Sequence, residues 1–129
     1  MKVELHPYFS QVPLVKFCHS KGIHVTAYSP LGQGRQKSPV VLDDPKISDI
    51  AKSLGEHVTP AQVILAWIME RGIVAIPKSV TESRIKENHA SLSVQLSKEQ
   101  MEEIDSVNID KRFILGWVKD QFKETQTNL

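Results

Sequence analysis

Residues 72–89, GIVAIPKSVTESRIKENH, change character in one step at Pro77. Ahead of it, Ile73–Ile76 is a short apolar run rich in β-branched residues, which marks a strand covered on both faces. Beyond it, Lys78, Ser79, Arg84, Glu87 and Asn88 follow within a dozen positions. Ser79 and Glu82 stand at capping-box spacing, so a helix is expected to start near Thr81 or Glu82. A covered strand feeding a helix is the unit from which parallel α/β sheets are made.

The same unit appears upstream. Ser10 to Gly22 has a capping serine, the apolar residues Val12, Leu14, Val15, Phe17 and Cys18, and a terminal glycine, as a short amphipathic helix would. It leads into the β-branched and aromatic run Ile23–Tyr28, read as a buried strand. Residues 29–42 carry two prolines and two glycines and read as a loop. Two helices follow, one from Asp44-Pro45 to Gly55 and one from Thr59-Pro60 to Gly72, each with a capping residue, a proline at the first position and a glycine stop. Ser97 and Gln100 open a last helix. The tail beyond Asn108, with Phe113, Leu115, Trp117 and Phe122, has no clean period and is read as irregular and packed down.

With Val3–His6 as a first strand, three strands alternate with helices, and the expected fold is an α/β parallel sheet with right-handed crossovers. The length of 129 residues suits one domain. Sixteen basic and fifteen acidic residues leave a formal net charge of +1, and they are interspersed, which argues against a nucleic-acid partner. The single cysteine, Cys18, fits a reducing, cytoplasmic setting. No run approaches the ~18 apolar residues of a membrane span, and the N-terminus has no apolar signal core, so a soluble, non-exported protein is expected. The five histidines show neither H-E-x-x-H nor finger spacing, and no metal site is expected.

In parallel α/β folds, ligands gather beyond the carboxyl ends of strands. Lys78 and Ser79 lie between a strand end and a helix start, where backbone N–H groups and the helix dipole favour an anion. Arg84, Glu87 and Asn88 share one helix face near that end, and the set suits a phosphate beside a purine. The alternative is a capped helix with a solvated polar face. Tyr28 offers an aromatic face to a flat ring, or is a core residue with a satisfied hydroxyl. Gly32-Gln33-Gly34-Arg35-Gln36-Lys37 either wraps a pyrophosphate with backbone amides or marks a flexible turn. His6, two residues after Glu4, is the one candidate for acid–base work, against a hydrogen-bonded rim residue.

The segments VELHPYFSQVPLVKFCHSKGI, AYSPLGQG, TPAQVILAW and IPKSVTESRIKENH together resemble, in order and spacing, the later part of an aldo-keto reductase. The resemblance covers the chain to about residue 108 and makes residues 1–129 the C-terminal part of such a domain. It implies a partial (β/α)8 TIM barrel, strands six to eight with their helices, binding NADP(H). By that resemblance Tyr28 stacks on the nicotinamide, and Ser29, Leu31 and Gly32, Gln33 and Gly34 lie along the pyrophosphate. Lys78, Ser79 and Arg84 hold the 2′-phosphate of the adenosine ribose, Val80 belongs to the same cofactor-binding stretch, and Glu87 and Asn88 lie on the adenine side. The family's reaction is hydride transfer from NADPH to an aldehyde or ketone, with protonation by a Tyr acid supported by Lys, Asp and His. No position here matches those four, and Lys2 stands where the family's nicotinamide-contacting glutamine belongs.

Three strands cannot close a barrel, so an isolated chain would expose sheet edges and an apolar inner face. Self-association, pairing with an N-terminal half, or a truncated product of a longer frame is expected. A non-catalytic nucleotide-binding or interaction module and an inert fragment stand beside the enzymatic reading. Trp117 either lines a substrate pocket or packs on the barrel wall.

Overall fold

The structure is a computed structural model that describes residues 1–115; Trp117 and Phe122 lie outside the described residues. Three strands, β1 (Lys2–Glu4), β2 (Thr26–Tyr28) and β3 (Val74–Ile76), form one sheet in the order β1-β2-β3, with both pairings parallel. The register sets Glu4, Tyr28 and Ile76 side by side, so all three strands end at the same level. The ladder closes only from Thr26, later than the apolar run from Ile23 suggests.

Five helices flank the sheet: α1 (Val12–Ser20), α2 (Pro45–Leu54), α3 (Pro60–Glu70), α4 (Glu82–Ala90) and α5 (Lys98–Asp105). The α2 start is as the sequence implies. Asp44 accepts from the N–H groups of Lys46 and Ile47, and Pro45 fills a position whose N–H has no helical partner. Thr59 with Gln62 and Ser97 with Gln100 close full capping boxes at α3 and α5.

Two expected caps are absent. Ser10 does not cap α1; Gln11 does the work in a left-handed conformation (φ 51°) with no side-chain cap. Ser10 is buried, its N–H donating to Asn108 Oδ1 at 3.1 Å and its carbonyl accepting from Arg71 Nη2 at 2.8 Å. Contacts remote in sequence have claimed its backbone and displaced the cap by one residue. Nor does Ser79 pair with Glu82. Its hydroxyl turns onto Thr81, and α4 begins without a side-chain cap.

The core lies between the sheet and the helices on one of its faces. Ala27, Val25 and Leu5 meet Val63, Ile64, Trp67 and Ile68 of α3 and Ile47 and Ile50 of α2. Trp67 is fully buried and keeps its indole N–H satisfied by Asp105 at 2.9 Å. The opposite face is different. β3 is not covered on both faces as its composition suggests: Val74 is 57% and Ile76 41% exposed. Among the described residues, no strand pairs with the outer edge of β3 or of β1.

A buried polar lock ties the end of β1 to the tail. Glu4 accepts from the backbone N–H of Phe113 at 2.6 Å and of Ile114 at 3.1 Å, and pairs with His6 Nε2 at 3.0 Å. Burial alone would push the Glu4 carboxyl up, but these hydrogen bonds outweigh it and hold it below its ordinary value. Its stabilisation is therefore complete above about pH 4.3 and is lost as the pH falls through the lower folded value. Glu4→Gln should cost about 2 kcal/mol at pH 7 in urea unfolding and should flatten the acid dependence of stability. An acid dependence identical to that of the unmodified chain would contradict the role given to Glu4.

Candidate functional site

Because the strands end level, the segments that follow β2 and β3 face each other across a hollow of about 830 Å³. One wall is the loop after β2, with Ser29, Leu31, Gln33, Gly34 and Arg35. The other is the turn after β3 and the first part of α4, with Lys78, Ser79, Arg84, Glu87 and Asn88. Tyr28 and Ile76 form part of the floor, and Thr59-Pro60-Ala61 at the start of α3 close the side. The hollow thus gathers ten of the twelve residues singled out from the sequence.

The other two stand apart. Val80 is 91% exposed and does not line the hollow. Gly32 sits behind the wall, where an added Cβ would meet Val41 Cγ2 at 2.5 Å. Its left-handed conformation (φ 62°) continues through Gln33 (φ 67°) and Gly34 (φ 60°), coiling the loop tightly. The amides of Gly32 and Gly34 donate within the loop, to Ser29 O at 2.9 Å and Leu31 O at 3.1 Å. Gln33 Nε2 donates to Ser29 Oγ at 2.8 Å, which holds that hydroxyl at the rim.

Charge in the hollow is unbalanced. Its lining carries three cationic side chains, Arg35, Lys78 and Arg84, against the one carboxylate of Glu87. That carboxylate is engaged, accepting from Thr59 Oγ1 at 2.5 Å, while the Glu87 carbonyl accepts from Gln62 Nε2 at 3.0 Å. α4 is thereby docked on α3. The α4 start has no side-chain cap, which leaves the positive end of the helix dipole uncompensated by a capping side chain; Thr81, Glu82 and Ser83 do not line the hollow, while Lys78, Ser79 and Arg84 on either side of them do. A phosphate fits that donor set, and a cavity of this size suits a nucleotide.

Proton-transfer candidates are placed elsewhere. His6 is fully buried, stacked on Phe113 with ring centroids 4.9 Å apart, and held by Glu4. It is the hydrogen-bonded rim residue of the two readings, and it does not line the hollow. Tyr8 donates to Asp44 Oδ2 at 2.8 Å; burial, then that hydrogen bond and the nearby acidic charges, push its hydroxyl up to about 12. It serves packing. Among the described residues, no three His, Cys, Asp or Glu side chains gather as metal ligands, and no helix is long and apolar enough to cross a membrane.

Leu42 and the Thr59–Ala61 wall were not visible in the sequence as site residues, whereas Arg35 and Gln36 belong to the stretch read either as a pyrophosphate wrap or as a turn. The α3 start reads locally as a capped helix end; only the loop's return path brings it to the hollow.

Fold and site together define a segment of an α/β barrel with an anion-receptive hollow at its strand ends. Residues 1–109 match the Aldo/keto reductase family. The chain is 48% identical over 122 residues to aldo-keto reductase family 1 member A1-A of Danio rerio, an alignment covering 91% of this chain and 37% of that protein. It is 45% identical over 119 residues to prostaglandin-E(2) 9-reductase of Oryctolagus cuniculus, covering 88% and 36%. Against estradiol 17 beta-dehydrogenase 5 of Mus musculus it is 42% identical over 121 residues, covering 89% and 37%. The chain belongs to the aldo/keto reductase family, a family of oxidoreductases, and spans little more than a third of the length of these relatives.

The two loop glycines should respond differently to a methyl group. Gly34→Ala meets nothing within 4 Å and should cost about 1 kcal/mol for its backbone conformation alone. Gly32→Ala adds the Val41 overlap and should cost about 1–3 kcal/mol more in urea unfolding. Equal costs would contradict the packing of this loop on Val41.

Proposed function

We propose that this chain carries the NADP(H)-binding part of an aldo-keto reductase, whose family reaction moves a hydride from NADPH to the carbonyl carbon of an aldehyde or ketone. The observation that carries the reading is the grouping of Lys78, Ser79 and Arg84 around the uncapped start of α4, at one end of a nucleotide-sized hollow. A 2′-phosphate asks for such a set. Lys78 supplies a point charge, Arg84 a planar fork, and Ser79 a hydroxyl once it leaves the Thr81 carbonyl.

At the other end, Tyr28 presents the floor on which the nicotinamide would lie, with Ser29 and Leu31 beside it. Asn88 and Glu87 would flank the adenine. When bound, the cofactor supplies the hydride; this chain's residues bind and orient it. Reduction also needs a proton for the carbonyl oxygen, and neither His6 nor Tyr8 is placed to give one. The chain alone is therefore read as a binding unit. Completion of the reaction falls to a proton donor from the rest of a barrel or from another chain, docked where Val74 and Ile76 are exposed on the unpaired edge. The buried engagement of His6 favours, as a second reading, a module that binds nucleotide without catalysis.

Titration followed by nicotinamide fluorescence should show tighter binding of NADPH than of NADH. Lys78→Ala and Arg84→Ala should each weaken NADPH about tenfold and NADH much less. A nitrobenzaldehyde added to the complex should leave the NADPH absorbance unchanged. Equal losses for the two cofactors would contradict the 2′-phosphate assignment, and turnover would contradict the separation of binding from proton transfer.

A further inference from the structure

Arg35 is the one cation of the hollow that the resemblance assigns to nothing, and it lies on the wall opposite Lys78 and Arg84. Building on the dinucleotide reading, we propose that Arg35 is a ligand for the bridging phosphates, leaving its carboxylate partner Asp43 for the anion when the nucleotide enters.

The donors of the loop lead to this residue. The amides of Gly32, Gly34 and Gln36 all donate inside the loop, to Ser29, Leu31 and Gln33, and the Gln33 side-chain amide is directed at Ser29. A pyrophosphate lying along this wall would find those groups already occupied; the amides left over, those of Leu31, Gln33 and Arg35, carry no charge. Arg35 supplies what they do not, a full positive charge and a planar array of five N–H donors that can reach two phosphate groups at once.

Its present partner is suited to exchange. Arg35 Nη1 donates to Asp43 Oδ2 with the side chains 69% and 50% exposed, and an ion pair so open to water contributes little stability. Asp43 does not line the hollow. Swinging the guanidinium from Asp43 to a phosphate therefore gives up a weak pair for one between opposite charges in a more enclosed space. The loop needs no rearrangement for this, because its coil is held by its own hydrogen bonds and by Gly32 packing on Val41.

The role is distinct from that of Lys78 and Arg84. The bridging phosphates are common to NADPH and NADH, so Arg35 adds affinity for both without discriminating between them. A merely structural Arg35, tethering the loop through Asp43, makes the opposite forecast for the partner residue. Loss of either side chain would then weaken binding alike.

The test is a comparison of Arg35→Gln and Asp43→Asn in the full chain, titrated with NADPH and with NADH, with thermal unfolding followed alongside. Arg35→Gln should weaken both cofactors about tenfold and by the same factor, whereas Asp43→Asn, which removes the competing carboxylate, should tighten both. Inorganic pyrophosphate should compete with NADPH on the unmodified chain and lose that ability on Arg35→Gln. Parallel weakening by the two variants would overturn the proposal in favour of a tether, and unchanged binding in Arg35→Gln would overturn it outright. Failure of the unmodified chain to bind either cofactor would remove the dinucleotide reading itself, a result separable from a failure of Arg35 alone.

Discussion

Everything at the strand ends depends on the parallel register that places Glu4, Tyr28 and Ile76 in one row. A shift of one residue in any strand would send its side chains to the opposite face and move the following loop by about 3 Å. With the register as it is, the coil after β2 and the turn after β3 rise to the same height and enclose the hollow between them. The register is enforced from one side only. Ala27 and its neighbours are pressed against α2 and α3, while the face bearing Val74 and Ile76 has no such cover among the described residues.

Two polar systems meet at this rim and do different work. Around Glu4 the donors serve structure: His6 Nε2 and the N–H groups of Phe113 and Ile114 converge on one carboxylate and bring the tail back across the first strand, while His6 Nδ1 is buried without a partner among the described residues. Around Lys78 and Arg84 the reverse holds, with a helix start that no side chain caps and cations that face open space. The first system buries His6 away from the hollow. The second has charge and donors to spare, which is the condition for holding an anion.

Much of the fold was legible because local signals and tertiary contacts agree. Asp44-Pro45, Thr59 with Gln62 and Ser97 with Gln100 cap the helices where the sequence places them. Ser10 and Ser79 failed as caps because competing partners took their groups, Asn108 and Arg71 in one case and Thr81 in the other. No local pattern encodes partners 61 or 98 residues away. The apolar composition of β3 truthfully reports strands that want cover; among the described residues, Val74 and Ile76 lack it on one face. Within the site, residues adjacent to strand ends were accessible to reasoning from the fold class. Leu42 and Thr59 were not, since their approach to the hollow depends on the path of the loop and on how α4 docks on α3.

We propose that one hollow, built by the segments after β2 and β3, receives the 2′-phosphorylated end of a dinucleotide. Backbone amide chemical shifts during titration with 2′,5′-ADP, a fragment without nicotinamide, address it most directly. Perturbation is expected to concentrate at residues 78–88 and to be absent around His6 and Phe113. Shifts scattered over the molecule, or none at residues 78–88 while the fragment binds, would contradict it.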